Sequence, residues 1–134
     1  MKMFSIIGAV FMLTVCLALA DQTNNAAPVK IGTADADKHY DQEMTVTGKV
    51  AQVTFRPGIV FINLDKPFPD SPFTAIIPSK YTNDFGDVQA LTGKAVEIQG
   101  KVKKYHDKPE IALESVIQLR VVGESASTNA PATK

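Results

Sequence analysis

The sequence predicts an all-β fold: five strands in a Greek-key barrel, with a short helix between strands 3 and 4. Three observations predict it. Residues 44–55 and 94–105 alternate apolar and polar side chains with the period of a strand. Each of these long segments carries a glycine near its middle, Gly48 and Gly100, where a ribbon that curls on itself has to bend. Proline- and glycine-containing turns separate them from three shorter apolar runs.

Each element follows in order. In residues 44–55, Val46, Gly48 and Val50 share one face and Thr45, Thr47 and Lys49 the other. Arg56-Pro57-Gly58 turns the chain into a second strand, residues 59–64. Residues 65–72 hold Pro67, Pro69 and Pro72 and cannot pair in a sheet. The third strand, residues 73–77, stops at Pro78. In residues 79–91, Tyr81, Phe85, Val88 and Leu91 recur at spacings of three and four, which favours a short helix or irregular turn, interrupted by Gly86. The fourth strand, residues 94–105, turns Val96, Ile98, Gly100 and Val102 inward. His106-Asp107-Lys108 turns into a last strand over residues 109–122. Five strands with a helical plug after the third describe the OB type of barrel. A β-sandwich would normally need about seven strands.

The first twenty residues read as a signal peptide. Lys2 gives a positive start, residues 4–19 are almost wholly apolar, and Ala18-Leu19-Ala20 places small residues where a signal peptidase reads them. The apolar run is shorter than the roughly 20 residues that span a bilayer. Cleavage after Ala20 is therefore expected, with the mature chain periplasmic or secreted and without stable membrane insertion. Lipid attachment at Cys16 is disfavoured by the bulky Val15 before it. Cys16 is the only cysteine, so cleavage leaves neither a disulfide nor a thiol nucleophile. Residues 21–32 read as a flexible leader, residues 33–122 as the OB-fold domain, and residues 123–134 as a disordered tail with few large apolar groups. Fourteen Lys and Arg balance fourteen Asp and Glu, and loss of Lys2 leaves thirteen cations. That balance argues against a surface built wholly for polyanions and allows a local basic patch.

A family resemblance rests on segments that follow one another in order. They are Met44-Thr-Val-Thr-Gly-Lys-Val, Phe61-Ile-Asn-Leu, Phe73-Thr-Ala-Ile-Ile, Leu91-Thr-Gly-Lys-Ala-Val-Glu-Ile-Gln-Gly-Lys-Val and Lys108-Pro-Glu-Ile-Ala-Leu. Together they resemble the small bacterial OB-fold domains of nucleic-acid-binding type, which occur alone after a signal peptide or appended to other proteins. The similarity covers residues 31–122 and implies the barrel and a nucleic-acid-type ligand. One departure is Asp41, which stands where that family commonly has a glycine before the first long strand. A looser resemblance, in size and signal peptide, is to exported bacterial OB-fold stress proteins.

OB barrels bind ligands on the face of the second and third strands and between two loops, the first-to-second and the fourth-to-fifth. Here those elements carry Phe55, Arg56, Phe61, Asn63, Lys101, Lys103, Tyr105 and Lys108, with Thr74, Ile76, Lys104 and His106 nearby. Bases would stack on Phe55, Phe61 or Tyr105, at about 1–3 kcal/mol each, while lysines meet phosphates. A plainer reading makes Phe55 and Phe61 rim residues under the Pro-rich loop through Phe68, and the lysines a solvated face. Glu97, Glu110 and Glu114 are near enough to neutralise part of the patch.

Catalysis finds little support. His39 and His106 sit in no metal-ligand spacing, and Asp35 and Asp37 lack the glycine and terminal glutamate of a calcium loop. No Gly-x-Ser-x-Gly is present. Thermonucleases also use an OB barrel, but need a carboxylate pair with arginines over a phosphate, and Arg56 and Arg120 are the only arginines. The reading is thus a non-enzymatic binding protein without metal or cofactor, whose partner is single-stranded nucleic acid. The alternative is a periplasmic envelope-stress module that holds a protein or small ligand on the same face. The compartment favours that alternative, because nucleic acid is scarce outside the cytoplasm.

Overall fold

Alternation, broken by proline and glycine, yields strands throughout the computed structural model, which describes residues 26–123. The signal peptide, Cys16, residues 21–25 of the leader and residues 124–134 of the tail lie outside the described residues. Eight strands form among the described residues: β1 Lys30–Gly32, β2 Glu43–Arg56, β3 Ile59–Leu64, β4 Phe73–Pro78, β5 Ala95–Lys101, β6 Lys103–Tyr105, β7 Lys108–Ala112 and β8 Leu119–Val121.

Five expected strands become eight for local reasons. The fourth breaks at Val102, whose N–H donates to Gln42 O at 3.0 Å and whose carbonyl accepts from Asp41 N at 2.7 Å, outside the ladder. The last breaks after Ala112 into a 3-10 turn, Val116–Gln118, closed by a reciprocal cap between Ser115 and Gln118, and resumes as β8. Lys30–Gly32, read as leader, pairs in parallel with Thr45–Thr47 of β2. The short helix or irregular turn expected between the third and fourth strands forms as two 3-10 helices, Ser79–Phe85 and Val88–Leu91. Gly86, at φ 62°, and Asp87, at ψ 85°, interrupt any helical ladder there.

The strands make one sheet in the order β6-β7-β4-β3-β2-β5-β8. β2, β3 and β4 are an antiparallel meander, β4 then pairs in parallel with β7, and β7 forms a hairpin with β6. Because Val102 alone separates β5 from β6, the sheet curls until both ends of the β6-to-β5 path lie on one stretch of chain. The result is the Greek-key order of an OB fold, partly open because the ladder is interrupted at Val102. Inside lie Val46, Val50, Ile62, Leu64, Phe73, Ile77, Ile98, Val102 and Ile111, each at most 1% exposed. These are the inward residues that alternation selects.

Asp41 holds a strained backbone conformation. Its φ is 64°, the left-handed region that suits glycine, and its N–H is held by Val102 O. Asp41→Gly is expected to raise stability by about 0.5 kcal/mol, since relief of that conformation outweighs the glycine's entropy. A thermal melt should move up by roughly 2–4 °C; a lower melting temperature would mean that the Asp41 side chain contributes more than its backbone costs.

Candidate nucleic-acid interface

The groove begins with a β-bulge. Val50 pairs with Leu64 and Gln52 with Asn63, so Ala51 is the extra residue in β2. A bulge of one residue reverses the side-chain parity that follows it. Val46 and Val50 point inward before it, and Val53 after it. Gln52, Thr54 and Arg56 consequently face outward beside Phe61 and Asn63 of β3.

Register then builds a row across the outer face. Gln52 stands opposite Asn63, Asn63 opposite Thr74, Thr74 opposite Glu110, and Glu110 opposite Lys103. Asn63 is only 3% exposed, so its amide needs internal partners. Thr74 Oγ1 donates to Asn63 Oδ1 at 2.8 Å, and Asn63 Nδ2 donates to Gln52 Oε1 at 3.3 Å. Gln52 Oε1 also accepts the N–H of Phe68 at 3.0 Å, anchoring the proline-rich loop to the row. At the other end of that loop, Lys108 Nζ donates to the carbonyls of Pro69 and Ser71, the latter at 3.1 Å. Buried Ser71 places its hydroxyl 2.6 Å from Phe73 O and 3.1 Å from Leu64 O.

These pieces enclose a groove of about 520 Å³. Half-buried Phe61 lines it, with Phe68 (73% exposed) on the loop and Tyr105 (56% exposed) on the β6–β7 hairpin. That hairpin turns at His106 and Asp107, whose φ values of 46° and 60° are the paired left-handed conformations of a two-residue primed turn. His106 meets Tyr105 edge-on, with centroids 4.2 Å apart. Glu110 also lines the groove, and burial raises its pKa while the charge of His106 opposes the shift.

Of the residues expected at a site, the structure brings Arg56, Phe61, Asn63, Tyr105 and Lys108 into this groove, with Thr74 and His106. Asn63 stands on this outer face but is buried in the groove floor, where it is hydrogen-bonded to Thr74 and Gln52. Lys108 is committed to loop carbonyls. Phe55 follows the bulge with the opposite parity, opposite buried Val60, and lies outside the lining. Lys101 faces Glu43 on the β2–β5 ladder, away from the groove, and Lys103 is beside Glu110 at the margin. Of the neighbouring carboxylates, Glu97 pairs with Lys30 at 2.7 Å. Gln52, Thr54 and Phe68 were missed. Recognising the bulge would have revealed the first two, whereas a phenylalanine between two prolines has no periodicity to reveal it.

No family model and no curated protein matches the sequence. Solved structures do match. The asparaginyl-tRNA synthetase of Entamoeba histolytica is similar with a TM-score of 0.52 and 20% identity, over 74% of this chain and 24% of the enzyme. What the two share is a fold. The aspartyl-tRNA synthetase of the same organism is similar with a TM-score of 0.49 and 16% identity, over 78% of this chain and 23% of that one. The chain spans about a quarter of the length of these synthetases.

Proposed function

We propose that this chain is an exported, non-enzymatic OB-fold module, of the small bacterial type its sequence resembles, that binds single-stranded nucleic acid along the β2–β3–β4–β7 face. The observation that carries the reading is the grouping of Phe61, Phe68 and Tyr105 around a polar floor, with Arg56 at the rim. The Arg56 guanidinium has no hydrogen bond or ion pair among the described residues. Ring faces stack on any base, and a guanidinium donates to phosphate oxygens, so together they suit a flexible strand better than a rigid duplex. The synthetase of like fold is by its name an enzyme of tRNA, which points the same way.

Fluorescence anisotropy with short oligonucleotides tests it. With Arg56 and Lys103 meeting two phosphates, affinity should fall roughly 5- to 10-fold between about 50 and 200 mM salt. Phe61→Ala should weaken binding by about 1–3 kcal/mol at either salt concentration. Affinity that ignores both salt and Phe61→Ala would return the groove to the alternative, a protein or small-ligand site.

A further inference from the structure

A groove that only gripped phosphates would have no use for a carboxylate in its wall, yet Glu110 is there. It is half-buried, and among the described residues its carboxylate accepts no hydrogen bond and forms no ion pair. Nearby cations are engaged elsewhere: Lys108 holds the carbonyls of Pro69 and Ser71, and Lys104 holds Asp107 at 3.0 Å. Lys103, directly opposite on β6, makes no ion pair with it. Glu110 also continues the line of Gln52, Asn63 and Thr74, whose side chains bond in sequence through Asn63, and its carboxylate has no hydrogen bond in that chain.

A partly desolvated carboxylate with two open oxygens is an acceptor that gains most from a ligand with two adjacent N–H groups. The Watson–Crick edges of the bases differ in this respect. Uracil offers one ring N–H, and adenine and cytosine each offer one amino group. Guanine presents its N1–H and a 2-amino N–H side by side, at the spacing of two carboxylate oxygens. Tyr105, His106 and the buried Pro109 form the wall beside Glu110 against which such a base would lie. Lys103 is placed at the margin for the adjoining phosphate.

We propose that Glu110 is a specificity-determining residue that accepts the N1–H and 2-amino N–H of a guanine in the bound strand. This rests on the single-strand reading and adds a base preference to it. Unstructured strands built from repeats of two uridines and one variable base separate the two ideas. The variable base is guanosine, inosine, adenosine or cytidine, and binding to the intact protein is read by anisotropy. The guanosine strand should bind about 10-fold more tightly than the adenosine and cytidine strands. Inosine, which lacks the 2-amino group, should lose most of that advantage. Glu110→Gln should abolish the preference, so that on the variant the guanosine strand binds no more tightly than the adenosine and cytidine strands. Equal binding of all four strands, or a preference that survives Glu110→Gln, overturns the assignment and leaves the single-strand reading standing. Failure to bind any strand at low salt removes both. The inosine strand tests the idea on the unaltered protein, so the outcome does not depend on the variant folding.

Discussion

Gly100→Val is expected to lower the free energy of unfolding by about 3 kcal/mol, at the upper end of overpacking costs. A Cβ on Gly100 would stand 2.7 Å from Ile111 Cγ2 and 3.2 Å from Gln118 Nε2. Neither neighbour can yield cheaply. Ile111 is fully buried in β7, its backbone paired with Ala75. Gln118 ties β5 to the chain after β7: its Nε2 donates to Gln99 O at 3.1 Å, and its Oε1 accepts from Glu114 N at 2.8 Å and Ser115 N at 3.0 Å. Valine must therefore push β5 away from β7, where the curled sheet crosses itself. Denaturant unfolding followed by circular dichroism measures the loss, and a thermal melt should fall by about 12 °C or more. Gly100→Ala should fall between the two proteins. A loss under about 1 kcal/mol for valine would mean that β5 and β7 do not approach this closely.

Asn63→Leu should cost about 2 kcal/mol, even though leucine has the same number and branching of side-chain heavy atoms. It leaves the Thr74 hydroxyl without its acceptor and Gln52 with only the Phe68 N–H. Losing one partner of a buried polar pair exposes the desolvation cost of the other, which is larger than the net worth of the bond. A second reading distinguishes this from simple misfit. Asn63→Leu with Thr74→Val removes both partners and should recover part of the loss, as matched apolar pairs do. Hydrogen exchange at Phe68 N–H should also quicken in the single variant, because Gln52 is no longer held in place by the row. An unchanged exchange rate would show that the loop is held from its Lys108 end alone.

Much of the fold was legible because its signals are local. Val96, Ile98, Gly100 and Val102 alternate in sequence and are all buried, since a strand can present only every second residue to a core. Proline removes a ladder donor, so the loop at Pro67, Pro69 and Pro72 and the end of β4 at Pro78 were equally readable. Asp41 was visible as an oddity before its left-handed φ explained it. The interruptions were not legible. Val102 looks like one more inward residue, and only its bonds to Asp41 and Gln42 break the strand. Tyr81, Phe85, Val88 and Leu91 keep a helical spacing and the segment is helical, but its 3-10 winding on either side of Gly86 and Asp87 was not encoded in that spacing.

The candidate site divides the same way. Arg56, Phe61 and Tyr105 follow from knowing which strands and loops of an OB barrel carry ligands. Phe55 did not follow, because one extra residue at Ala51 turns it to the opposite face and turns Gln52 and Thr54 outward. An all-β chain, its turns and its inward residues were thus readable from the amino-acid order, since alternation and the backbone chemistry of glycine and proline act within a few residues. Which face became a groove, that Phe68 lines it, and that the Glu110 carboxylate stands beside the Gln52–Asn63–Thr74 chain without joining it came from the packing of distant strands. Those outcomes depend on register between strands distant in the chain, which no local pattern encodes.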